Sequence, residues 1–271
     1  MAKAVISSTY DDLYLWNIPL TTWCWNKLGV DVICFLPIEK NDKEYSKIDL
    51  ALSYCNNARI TVYHFNCPKY KESTYAQCSR LYGACLDLPE DEILITGDVD
   101  MAVFKLPSYN GVMTVTGYDL VPDGQQPMCY VVGKAKEWRE AFDLNGLTYQ
   151  QALDRLLGED ECQDYRACRW SVDQEQLANG VKKVSHSLVR RSNGENQFAQ
   201  NRVDRTDLHY KDRLNLDIID AHLWRPAYEE GNFNKILELM QYMYPKENFG
   251  WLVNYQNSYV NLLKNNNGKD M

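Results

Sequence analysis

Short apolar runs that stop abruptly at polar stretches set the rhythm of this chain. Ala4–Ser8 (AVISS), Val32–Leu36 and Ile93–Thr96 are such runs, and Arg59–Phe65 (RITVYHF) is dense in β-branched and aromatic residues. Unbroken runs of this length predict strands covered on both faces, not the in-out alternation of a half-exposed sheet. Between them, Pro19–Leu28 predicts a helix stopping at Gly29, and Leu50–Asn56 a helical turn. Tyr75–Leu86 predicts a helix with Cys78, Leu81, Cys85 and Leu86 on one face. The order is β-α-β-β-α-β, an α/β sheet flanked by helices. Val112–Gly117 and Met128–Val132 predict two further strands across the turn VPDGQQP, and Lys136–Phe142, Thr148–Leu157 and Phe233–Met243 predict helices. Gly180 to Arg213 is polar and predicted irregular, and the closing KNNNGKDM is predicted disordered.

One run breaks its own pattern. DEILITGDVDMAVF, residues 91–104, places Asp98 and Asp100 two residues apart and then turns apolar again. An isolated buried carboxylate is costly unless paired or metal-bound, so the stretch is either a strand end turning to solvent or a site. In open α/β sheets ligands bind outside the carboxyl ends of the strands. TYDD after the first strand and GDVD after the fourth both fall there. A D-x-D at such an end can hold Mg²⁺ or Mn²⁺, which take hard oxygen ligands and keep positions open for phosphate.

Composition narrows the class. With 271 residues, the chain holds one large domain or two small ones; the simplest division is 1–226, including a polar, basic loop region 180–215, and a C-terminal helical extension 227–271 with a disordered tail. The longest apolar stretch, Val32 to Ile38, is far too short to span a membrane, and the opening residues lack the apolar core of an export signal. Nine scattered cysteines without a C-x-x-C pair read as reduced thiols, hence a cytoplasmic protein, of its own cell or of an infected host. The net charge of −8 argues against a nucleic-acid coat. One basic cluster, running from Lys182 to Arg213 and broken by Glu195, Asp204, Asp207 and Asp212, is either a solvated loop or a phosphate-holding surface.

Beyond the pair of aspartates, YAQCSRLYGACLDLPEDEILITGDVDMAVF resembles the helix–turn–strand block of nucleotide-sugar glycosyltransferases of the GT-A fold, in their glycogenin- and galactosyltransferase-like family. SVDQEQLANG is similar to that family's D-Q-x-x-x-N element, with Asn179 one residue late, and DIIDAHLWRP more loosely to its C-terminal histidine and basic residue. The chain is also similar to small stand-alone glycosyltransferases of large DNA viruses and phages. The resemblance implies a GT-A type, Rossmann-like mixed sheet with a C-terminal helical appendage. It implies metal ligation by Asp98, Asp100 and His222, with Asp220 the local rival to His222. Arg80 is implied to reach the sugar or the second aspartate, Asp173 and Gln174 to lie against the transferred sugar, and Arg225 to meet the diphosphate. Thr9, Tyr10, Asp11 and Asp12 fall where the family holds base and ribose, and Asp98 and Val99 complete the donor site.

The implied activity is Mn²⁺- or Mg²⁺-dependent transfer of a sugar from a nucleotide-diphosphate donor, a UDP-sugar first, to a hydroxyl acceptor. The acceptor is a glycan, a small molecule, or a hydroxymethylated base in DNA held by the Lys182–Arg213 segment. If configuration inverts, Asp173 is the candidate general base. A sugar-nucleotide nucleotidyltransferase shares the layout but needs a glycine-rich, cationic loop after the first strand; SSTYDDLY has neither glycine nor cation. A non-catalytic nucleotide- or sugar-binding module is the remaining class.

Overall fold

The first strand is apolar on both sides because both of its sides are packed. In the computed structural model, which describes residues 2–37, 42–65, 72–117, 124–158, 171–190, 201–206, 209–214 and 217–267, β1 (Ala2–Ser7) is central. Its Val5 joins Ile33 and Phe35 in one core, while Ala4 and Ile6 join Val32, Cys34 and Leu36 in another. Helices cover both cores. On one side lie α4 (Glu72–Ser79), α5 (Ala135–Ala141), α6 (Tyr149–Gly158) and α7 (Val172–Val181); on the other lie α1 (Asp12–Leu15), α2 (Ile18–Lys27) and α3 (Asp42–Ser53). Fully buried side chains such as Phe35, Ile6 and Leu15 each contribute on the order of 1.5–3 kcal/mol.

The main sheet has seven strands in the order β3-β2-β1-β4-β7-β6-β8. Here β2 is Asp31–Pro37, β3 Ile60–Phe65, β4 Ile93–Thr96, β6 Met113–Gly117, β7 Tyr130–Lys134 and β8 His186–Arg190. The strands β3, β2, β1 and β4 run parallel, and β7 runs antiparallel to both of its neighbours. After β1 the chain builds outward through β2 and β3, then returns to place β4 on the other flank of β1. The crevice at that reversal is where an open α/β sheet takes its ligand. It lies between the loop after β1 and the GDVD turn after β4.

A second, three-stranded sheet closes over the turn: β5 (Met101–Val103), β10 (Asp220–His222) and β9 (Arg202–Val203), with β10 antiparallel to β5. The C-terminal helices α8 (Glu230–Met243) and α9 (Gly250–Asn267) share one core with Trp16, Leu20, Ala102, Leu223 and Trp224, and the Tyr255 hydroxyl donates to the Trp16 carbonyl at 3.1 Å.

Several sequence expectations change. The helical turn expected at Leu50–Asn56 is the end of the full helix α3, which makes the order one of regular alternation. The helix expected over Tyr75–Leu86 tightens after Ser79 into a 3₁₀ stretch, Arg80–Cys85. A Cβ on Gly83 in that stretch would stand 3.2 Å from the Val5 side chain, so this backbone packs directly on the sheet. The segment expected irregular carries β8 and β9, which are edge strands too polar to show as apolar runs. Lys264–Asn267, expected disordered, is the last turn of α9; Gly268–Met271 lie outside the described residues. Among described residues the cysteines are free thiols, Cys67, Cys162 and Cys168 lying outside them, and no helix is long and apolar enough to cross a membrane.

Candidate functional site

The crevice at the sheet reversal is a cleft of about 830 Å³. Its floor is the turn after β4. Gly97 is fixed there by close packing, since a Cβ would stand 3.2 Å from the Trp25 ring. The Thr21 hydroxyl donates to the carbonyl of Val99, and Leu223 N–H donates to the carbonyl of Asp100 at 2.9 Å. Both aspartates therefore stand on a turn fastened from below by α2 and from the side by the strand that carries His222.

The two carboxylates have different partners. Asp98 accepts from Arg80, and the same guanidinium donates to Asp173 at 3.1 Å. Arg80 leads the 3₁₀ stretch and Asp173 sits in the first turn of α7, where negative charge suits the helix dipole. Asp173 also accepts the N–H of Gln174 at 2.9 Å. Burial pushes the Asp173 carboxyl up, and the Arg80 charge only partly opposes it. Burial works against the charged form of Arg80, but Asp98 and Asp173 prevail and raise its pKa.

Asp100 faces the other way, with 5 % of its side chain exposed. One oxygen, Oδ2, takes Arg205 Nη1 at 2.7 Å, His222 Nε2 at 3.1 Å and Arg225 Nε at 3.1 Å. Burial alone would raise its pKa; the hydrogen bond and charge of His222, with the charges of Arg225 and Arg205, outweigh this and hold the carboxyl well below the usual range. His222 is delivered by register, paired with Met101 between β10 and β5. Its Nδ1 stands 3.6 Å from Asp204, so the imidazole lies between two carboxylates. Burial lowers its pKa, and the two carboxylates reverse the shift and raise it. Arg225 also lies over the Tyr14 ring, 4.9 Å from its centre.

The loop after β1 forms the opposite end. Asp11 caps α1 by accepting Leu13 N–H at 2.9 Å, and Thr9 Oγ1 accepts Asp11 N–H at 3.2 Å. Asp12 accepts Lys47 Nζ at 3.1 Å on one oxygen and the Tyr259 hydroxyl at 2.6 Å on the other. Tyr10 is buried and lines the cleft beside them.

Thr9, Tyr10, Asp11, Asp12, Arg80, Asp98, Val99, Asp100, Asp173, Gln174, His222 and Arg225 thus all line one cleft. Three expectations are corrected. Arg80 reaches the first aspartate, not the second, because Asp100 faces the far side of the turn. Asp220 is no rival to His222: it is fully buried and bound by Arg202 through two contacts, 2.6 and 2.9 Å. Asn179 is exposed on α7, away from the cleft-lining residues. Sequence reading missed Lys47, Arg205, Asp204, Gln77 and Cys129. Arg205 belongs to the basic cluster and Asp204 to the acids that break it, which gives neither a place in a cleft. Cys129 lines the cleft with its thiol pushed up to about 11 by burial, against the charge of Arg202.

Asp98, Asp100 and His222 offer carboxylate oxygens and an imidazole nitrogen, donors that Mn²⁺ and Mg²⁺ accept. In kind, these residues fit such an ion. Among described residues, no three such groups are already drawn together as a ligand set, since Asp98 is held by Arg80.

No protein-family model matches this sequence, and no curated protein matches it either. Among solved structures, the chain is similar to the galactosyltransferase LgtC in complex with donor and acceptor sugar analogues, at 13% identity over 88% of this chain and 94% of that one, with a TM-score of 0.48. It is similar to an active-site mutant of LgtC at 11% identity over the same shares, with a TM-score of 0.45. It is also similar to the glycosyltransferase GlyE of Streptococcus pneumoniae TIGR4, at 14% identity over 96% of this chain and 64% of that one, with a TM-score of 0.47. Likenesses of this depth assign no residue a role.

Proposed function

We propose that this chain is a GT-A type glycosyltransferase that moves a sugar from a nucleotide-diphosphate donor, a UDP-sugar first, to the hydroxyl of a glycan or small molecule. One observation carries the reading: the D-x-D, the D-Q pair, the histidine and the first-loop residues, far apart in sequence, line a single cleft at the sheet reversal. Asp98, Asp100 and His222 would hold Mn²⁺ or Mg²⁺. When bound, the ion supplies charge neutralisation at the departing diphosphate.

The chain's own residues carry the rest. Arg225 stands beside Asp100 with its side chain part-exposed and lining the cleft, positioned to meet phosphate oxygens. Arg80 fixes Asp98 and Asp173 relative to each other, so the sugar's surroundings are set before the donor arrives. Asp173 and Gln174 would line the sugar. Tyr10 and the Thr9–Asp12 backbone would bound the nucleoside, with Lys47 and Tyr259 holding Asp12 in place. A glycan or small-molecule acceptor is favoured over DNA because Lys183, Arg202 and Lys211 of the basic cluster each already meet a carboxylate.

The test offers a panel of nucleotide sugars with Mn²⁺ and follows release of the nucleoside diphosphate. The reading expects release with one donor class, its loss in EDTA, and its recovery on adding metal back. Turnover indifferent to EDTA would remove the metal from the scheme, and silence with every donor would favour a binding module.

A further inference from the structure

Arg205 has more binding capacity than its one contact uses. Three donors converge on Asp100 Oδ2, and two of them are guanidiniums, so a single carboxylate faces more positive charge than it balances. Arg205 engages Asp100 through Nη1, 25 % of its side chain is exposed, and it lines the cleft. Arg202, on the strand just before it, shows what an arginine devoted to structure looks like in this fold. Its side chain is 6 % exposed and its fork is closed on both oxygens of Asp220.

The loop that carries Arg205 is built to aim it. The strand before it is fastened by the Arg202–Asp220 pair and by pairing with β10. Asp204 then accepts both the N–H and the hydroxyl of Thr206, at 2.9 and 2.7 Å, which closes a tight turn around Arg205. A planar guanidinium held beside the D-x-D matches the bidentate geometry of phosphate oxygens.

We propose that Arg205 is a second diphosphate-binding residue beside Arg225, resting on Asp100 while the cleft is free of donor and passing to the diphosphate when a donor enters. This rests on the reading that the cleft takes a nucleotide-diphosphate donor. It adds a residue that no motif in the sequence marks. Asp100 serves as the parking site, which keeps the guanidinium from folding out into solvent before binding.

The test is calorimetric titration of the full chain, in buffer containing Mn²⁺, with UDP, GDP and ADP and with the three parent nucleosides. For whichever diphosphate binds, Arg205→Gln is expected to weaken affinity at least tenfold and to leave the nucleoside within twofold. Arg205→Lys, which keeps the charge but not the fork, is expected to weaken the diphosphate about threefold or more, and it serves if the glutamine variant does not fold. Unchanged diphosphate affinity in both variants, or an equal loss for the nucleoside, would overturn the assignment. A wild-type chain that binds none of the three diphosphates would sink the donor reading itself.

Discussion

Asp98 and Asp100 are separated by one valine, yet they face two differently built halves of the cleft. On the Asp98 side, two carboxylates share one nearly buried guanidinium, Arg80. On the Asp100 side, one carboxylate oxygen collects two guanidiniums and an imidazole, all part-exposed. The first arrangement is short of positive charge, and its Arg80–Asp173 pair is buried. The second sets two guanidiniums on one carboxylate, with Asp204 on the far side of the imidazole, and lines the cleft. The donor proposed above, with a neutral sugar at one end and an anionic diphosphate at the other, would suit such a division. The contrast also separates two kinds of residue: those whose loss leaves a buried charge stranded, and those whose loss mainly costs binding.

The largest effect should come from breaking the buried Arg80–Asp173 pair. Arg80→Ala strands Asp98 and Asp173 with no cation, and breaking a buried pair in this way costs about 3–5 kcal/mol; denaturant unfolding should show it. Arg225→Ala on the Asp100 side is expected to cost under about 1 kcal/mol, because Asp100 keeps Arg205 and His222 and the contact is part-exposed. Equal losses in the two variants would erase the division.

Next in size is an effect on turnover, not stability. Asp100→Ala is expected to lower nucleoside diphosphate release by about 10²–10³-fold. Its unfolding transition should stay close to that of the wild type, since the cations it frees lie at the cleft surface. A thermal melt run beside the assay separates the two outcomes, and a collapsed melt would make Asp100 a structural residue.

A smaller effect than that of Arg80→Ala belongs to the loop after β1. Tyr259→Phe removes one hydrogen bond to a carboxylate and is expected to cost about 1–2 kcal/mol of stability. Nucleoside affinity should fall by a few-fold at most, because Lys47 still holds Asp12. A loss as large as that of Arg80→Ala would mean that the C-terminal helix is part of the site's frame and not its outer support.

Much of this was legible without coordinates. The parallel strands showed as apolar runs because both faces of β1, β2 and β4 are packed, and burial of that kind leaves no polar alternation. The aspartate pair showed because short acids interrupt such a run only at a strand end or a site. Asp173, Gln174 and His222 showed through motif likeness, and all three line the cleft. Arg205, Asp204 and Lys47 did not stand out as site residues. Each is an ordinary charged residue in a polar stretch, and local sequence gives such a residue no direction. The edge strands β8 and β9 were missed for a related reason: β8 is the mixed run HSLVR, and β9 is only Arg202–Val203, whose buried arginine breaks any apolar run.

An α/β sheet, its strand ends and a pair of acids at one of them follow from residue order alone, because burial patterning and the cost of buried charge are written residue by residue. Which cations those acids meet is fixed by the fold. The pairing of β10 with β5 brings His222 to Asp100, the return of the chain through β9 brings Arg205, and the packing of α9 brings Tyr259 to Asp12. Charge partners are chosen by distance in space, and distances between remote segments are fixed by strand register and core packing rather than by any local motif.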